Sequence, residues 1–154
     1  MIACFAPGHG ARPEAAARLA RELEAEFLGL FVEDADLVRL ASLPFAREVG
    51  LASASLLSMD PGALERQLRA QAARVEQALQ TILGPAPGWS FRVERATPER
   101  AVEAALAEGH APALLIPPAA DLRGARVHAR RVELTRQALR AWWTSGKPLV
   151  LLPD

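Results

Sequence analysis

The chain has little of several things that staple small proteins or send them to a membrane. It has one cysteine, Cys4, in 154 residues, which excludes an internal disulfide and fits a reducing compartment. Although 51% of its residues are hydrophobic, no run approaches the ~18 apolar residues of a spanning helix. The opening Met1-Ile2-Ala3-Cys4-Phe5-Ala6-Pro7 has no basic stretch ahead of its apolar run and is too brief for a secretory leader. The expectation is a cytoplasmic protein with no membrane partner. An excess of one charge is missing too, because 18 basic and 18 acidic side chains cancel. A general nucleic-acid binder draws on a basic excess, so no nucleic-acid partner is expected. Only Lys147 among the bases is lysine. The arginines reflect coding bias, although arginine also suits anion binding.

What is present is a regular alternation of strand and helix signals over one domain, residues 1–154. Ile2 to Ala6 is a short apolar run closed by Pro7-Gly8-His9-Gly10, a strand followed by a tight turn. Pro13 sits where a helix begins, and Ala16, Leu19, Ala20 and Leu23 form its apolar stripe. Phe27 to Val32 is apolar on both faces, as in a parallel strand covered by helices. From Asp34 to Met59 the pattern loosens into a helical excursion in which Asp34 or Asp36 caps a short helix. Asp60-Pro61 opens a long helix whose stripe is Leu64, Leu68, Ala72, Val75, Leu79 and Ile82, and Gly84 to Gly88 ends it. Trp89 to Arg95 alternates like an edge strand, Thr97-Pro98-Glu99 opens another helix, and Ala113 to Ile116 is a fourth strand. A last helix carries Val132, Leu134, Ala138, Leu139 and Trp142, and Leu149 to Leu152 is a fifth strand. This alternation predicts an α/β fold, a five-stranded parallel doubly wound sheet. Ligands of such sheets sit beyond the strands' carboxyl ends, where strand order reverses.

The segment Glu24 to Leu37, the continuation Leu40 to Val49, the helix over Leu64 to Arg74 and the closing Lys147 to Leu152 together resemble the universal stress protein family, and within it a proteobacterial branch. The distinctive part is Phe31 to Val49. The resemblance implies strand order 3-2-1-4-5, a stress-related role, and a homodimer through the last strand, here Leu149, Val150, Leu151 and Leu152. Nucleotide-binding members of the family carry an acidic residue at the end of strand one. After strand four they carry a Gly-x2-Gly-x9-Gly-Ser/Thr stretch, whose backbone N–H groups close on phosphates. This chain ends its first strand in Ala6-Pro7, follows Ile116 with Pro117-Pro118, and has Gly124 as its only glycine from Pro112 to Ser145. Proline has no N–H to donate, so ATP or AMP is not expected as a cofactor in the family's manner.

The remaining candidates for a ligand site are the turn Pro7, Gly8 and His9, the second-strand residue Val32, Pro117, and the arginines Arg123, Arg126 and Arg130 around His128. Arginine forks can grip a phosphate where main-chain donors are lacking. His9, His110 and His128 have no ligand-like spacing, so no metal site is expected. Cys4 reads as a buried hydrophobe, and no serine sits in a Gly-x-Ser-x-Gly elbow. Of Trp142 and Trp143, periodicity places one in the core and leaves the other either to anchor a partner or dimer contact or to cover the sheet edge. The sequence favours a non-catalytic module that binds a small ligand or a protein partner. The alternative is a nucleotide-binding protein or slow ATPase with an arginine-based phosphate pocket.

Overall fold

The computed structural model describes residues 1–9, 12–43, 47–49, 56–58, 60–85, 87–108, 113–118, 120, 122, 128–129 and 135–151. The elements in chain order are β1 (Ile2–Phe5), α1 (Pro13–Glu22), β2 (Phe27–Asp34), α2 (Ala35–Ala41), β3 (Arg47–Val49), β4 (Leu56–Ser58), α3 (Pro61–Leu83), β5 (Trp89–Ala96), α4 (Pro98–Glu108), β6 (Ala113–Ile116), β7 (His128–Ala129), α5 (Arg136–Ser145) and β8 (Leu149–Leu151). Each described helix start follows a local signal. Pro13 occupies the first turn of α1, and Asp34, Asp60 and Thr135 accept backbone N–H groups at the starts of α2, α3 and α5. Gly84 and Gly146, at φ 68 and 67, close α3 and α5. No described helix is long and apolar enough to cross a membrane.

The main sheet has the order β5-β2-β1-β6-β8-β7. Its four strands β5, β2, β1 and β6 run parallel, so the chain is α/β with a parallel 3-2-1-4 core. Each face buries its own apolar cluster. Ala16, Ala17 and Ala20 of α1 and Ala72, Val75 and Leu79 of α3 pack on Ala3, Phe5, Phe27 and Phe31. Ala101, Val102 and Ala105 of α4 and Leu139, Trp142 and Trp143 of α5 pack on Ile2, Cys4, Leu30 and Val32. Strand direction alternates residues between the two faces, which is why β1 and the stretch Phe27 to Val32 of β2 are apolar on both.

Three features depart from the sequence expectation. The last strand lies beside β6 as expected but runs antiparallel to it, pairing Leu149 with Leu115 and Leu151 with Ala113. The reason lies in α5. Arg136 reaches Glu103 at 3.7 Å and Arg140 reaches Glu99 at 2.5 Å, so α5 runs antiparallel to α4. Because α4 starts at the carboxyl end of β5, α5 finishes at that same edge. The short Gly146-Lys147-Pro148 link then sends β8 back the opposite way. Second, the excursion after β2 contains β3 and β4, which pair antiparallel as a separate two-stranded sheet. Third, both tryptophans are buried, Trp142 at 8% and Trp143 at 7% exposure, with their rings edge to face at 6.2 Å. Packed beside α4 on the same face of the sheet, α5 has an apolar face wide enough to bury two neighbouring residues.

Candidate functional site

Strand order reverses at β1, so the crevice for a ligand lies at the carboxyl ends of β1, β2, β5 and β6. Beyond β1 the chain turns through Pro7, Gly8 and His9. Gly8 adopts φ 76, a conformation that suits glycine. The Nδ1–H of the exposed His9 donates to the carbonyl of Pro7 at 3.0 Å, which leaves Nε2 to face solvent. Beside this turn a cavity of about 370 Å³ opens between α1 and α3, lined by Ala6, Gly8, Glu14, Gln71, Arg74 and Val75 among others.

A second cavity of about 200 Å³ lies at the ends of β2 and β5. Its walls include Asp34, Asp36, Thr97, Glu99, Arg140 and Trp143. Asp34 accepts the N–H of Asp36 at 2.9 Å, capping α2 as its position after β2 predicts. Glu99, in the first turn of α4, is 5% exposed and accepts from Nε of Arg140 at 2.5 Å. Burial pulls the Glu99 carboxyl upward. The Arg140 hydrogen bond, the helix N–H and the Thr97 side chain outweigh that and hold it below the ordinary carboxylate value. Arg140 is raised in turn, first by its bond to Glu99 and then by the negative charge of Glu99, with Asp34 and Asp36 adding to it. Next door, Glu33 and Arg95 face each other in register on β2 and β5 and bond at 2.9 Å, and Arg95 also reaches Glu65 at 3.3 Å. The buried carboxylates of this edge, Glu33 and Glu99, are therefore each held by an arginine. The thiol of Cys4, buried in β1, is pushed far up by desolvation.

Of the candidates read from sequence, Pro7, Gly8 and His9 come together at the turn. Val32 is 1% exposed, with its side chain in the core against α4 and α5. Pro117 is fully buried at the end of β6. Arg123, Arg126 and Arg130 lie outside the described residues, as do His110 and Leu152. Leu149 and Val150 are paired on both sides, with β6 on one and β7 on the other. Sequence reasoning missed Glu99 with Arg140 and Glu33 with Arg95. Only strand register and helix orientation bring these pairs together, and neither is visible in the spacing of the residues. Among the described residues, no three or more histidine, cysteine or acidic side chains converge as metal ligands.

No model of a known protein family matches the chain, and no curated protein matches it.

Proposed function

We propose that this chain is a non-catalytic, stress-related binding and regulatory domain of the universal-stress-protein kind, one that lacks the glycine-lined ATP site. The observation that carries the reading is the carboxyl end of β6. Pro117 and Pro118 are buried and have no N–H, and the N–H of Ala120 is spent on the carbonyl of Pro117 at 3.1 Å. Three positions at which a phosphate would meet main-chain donors thus offer none. The pairing of Glu33 and Glu99 with arginines supports a binding role over catalysis, because a general base must be free to take a proton.

Thermal melting with ATP, AMP and cyclic nucleotides tests this reading. ATP is expected to leave Tm unchanged, whereas a bound ligand at a hundredfold excess over its Kd adds about 2.7 kcal/mol. A clear rise with ATP that disappears in Arg126→Ala and Arg130→Ala replaces this reading with the arginine-pocket nucleotide binder.

The proposal includes a homodimer through Leu149, Val150, Leu151 and Leu152. β7 covers that side of the sheet, paired to Leu149 and Val150, so a dimer through the last strand requires a strand from a second copy to take the place of β7 at the edge. Val150→Arg is expected to turn dimers into monomers in light scattering. A variant that stays dimeric, or a wild-type monomer, removes this part of the reading.

A further inference from the structure

At the opposite, amino-terminal edge of the sheet a groove of about 610 Å³ runs between the last turns of α1 and α3. Its walls include Arg21, Glu24, Glu26, Ile82, Leu83 and Trp89. The apolar members are half-buried, while the two glutamates are exposed at the rim. Leu23, next to it, is 54% exposed.

Both helices end here, so their terminal carbonyls bring two negative poles to the same place. α1 has Arg21 in its last turn, and α3 has no basic residue in its own. Arg21 donates across the groove to the carbonyl of Ile82 at 3.5 Å, and the Trp89 indole donates to the carbonyl of Gly84 at 2.9 Å. Arg21 thus serves two helix ends, and the Met1 ammonium, which donates to the Glu26 carbonyl and feels the Glu26 carboxylate, is a second cation beside the groove. Two carboxylates and two helix poles stand against these two cations, which leaves an acidic rim over an apolar floor.

The backbone supplies an independent observation. Glu24 has φ 48 and is the only non-glycine with positive φ among the described residues. It follows the α1 cap Leu23, where its N–H bonds to the carbonyl of Arg21 at 3.2 Å and that of Ala25 bonds to Ala20 at 3.1 Å. This is the turn that glycine closes most easily, because a β-carbon is crowded in the left-handed conformation. A glycine would relax the turn but leave the groove without its carboxylate. Strain kept at such a position points to a function for the side chain.

We infer that this groove docks a segment of a partner protein in which a basic side chain lies beside an apolar one. The basic head meets Glu24, Glu26 and the carbonyl end of α3, and the apolar neighbour lies on Ile82, Leu83 and Trp89. The groove is at the far edge from the β1 turn, so a docked partner leaves the ligand crevice open. The inference therefore stands apart from the ATP question.

The test uses a fluorescein-labelled hexapeptide alternating leucine and arginine, followed by anisotropy and by amide chemical shifts of the labelled protein. Saturable binding is expected, with shifts centred on residues 20–27 and 82–89. Glu24→Gly is expected to weaken binding about tenfold, equivalent to ~1.4 kcal/mol, while raising Tm by about 2–4 °C through relief of the turn. Glu26→Gln weakens binding without that rise, and Glu76→Gln, on the exposed face of α3, changes neither. The inference is overturned if the hexapeptide does not bind, if glutamate in place of its arginines binds equally well, if the shifts centre elsewhere, or if Glu24→Gly binds within about twofold of wild type. It is equally overturned if Glu24→Gly melts no higher, since the turn would then hold no strain.

Discussion

The half of the sheet built from β1, β2 and β5 and the half built from β6, β8 and β7 meet the same burial requirement by different means. In the first, β2 and β5 pair through eight residues. The alanines of α1 let that helix lie close on the sheet, and α3 seats Leu79 beside Gly29. In the second, the strands have two to four residues, and the antiparallel helices joined by Arg136–Glu103 and Arg140–Glu99 cover β6 while also lying on one face of β1 and β2. Long strands fix their own register. Where the strands are short, the helices above them decide which way the last one runs.

Paired core truncations test that contrast with the largest expected effect. Leu79 is fully buried, and a β-carbon placed on Gly29 would lie 2.8 Å from its Cδ1 and 3.0 Å from Cδ2 of Phe91. The notch is bounded by β2 and β5, paired along eight residues, and has little freedom to collapse, so Leu79→Ala is expected to cost about 3–5 kcal/mol in urea unfolding. Leu139, 1% exposed on the inner face of α5, lies in a cluster with residues of the four-residue strands β1 and β6 as well as of β2. Its truncation should cost about 2–3 kcal/mol, because more of the cavity can close. Equal losses would show the two halves to be packed alike and leave only their charge pairs to distinguish them.

The same division governs how much of the molecule is legible in the sequence. The first half is readable because each signal is local: Pro13 starts α1, Asp60-Pro61 starts α3, and the stripe from Leu68 to Leu79 is buried as its spacing predicts. The apolar runs of β1 and β2 likewise lie inside the sheet. In the second half the strand and helix of residues 113–116 and 136–145 are legible, but the direction of β8 is not. Strict alternation favours a parallel crossover, and the contrary instruction resides in Glu99 and Glu103 meeting Arg140 and Arg136 across space. Of the site, the turn at Gly8 and the cap at Asp34 are local and were readable. The carboxylate at Glu24 was not, because its significance lies in a backbone angle that composition does not reveal.

A smaller effect sharpens the comparison from the charged side. The Glu99 side chain is 6% exposed, whereas that of Arg140 is 77% exposed, so solvent screens the pair and its contribution stays below that of the core leucines. Arg140→Ala leaves a buried carboxylate without its partner, and the variant should be less stable at neutral pH than Glu99→Gln with Arg140→Ala, which removes the charge as well. The pH dependence has a defined sign. The Glu99 carboxyl lies below its ordinary 4.5 in the folded chain, so above that value the folded state gains from the ionised form. The gain is lost as the pH falls from about 4.5 through the folded value, where the unfolded chain binds the proton first. Urea midpoints measured across that interval should fall for wild type and fall less for Glu99→Gln. If the two profiles run parallel, or if the single and double variants are equally stable, the Glu99–Arg140 pair does not hold α5 against α4. The antiparallel course of β8 must then come from the pairing of Leu149 and Leu151 with β6 itself.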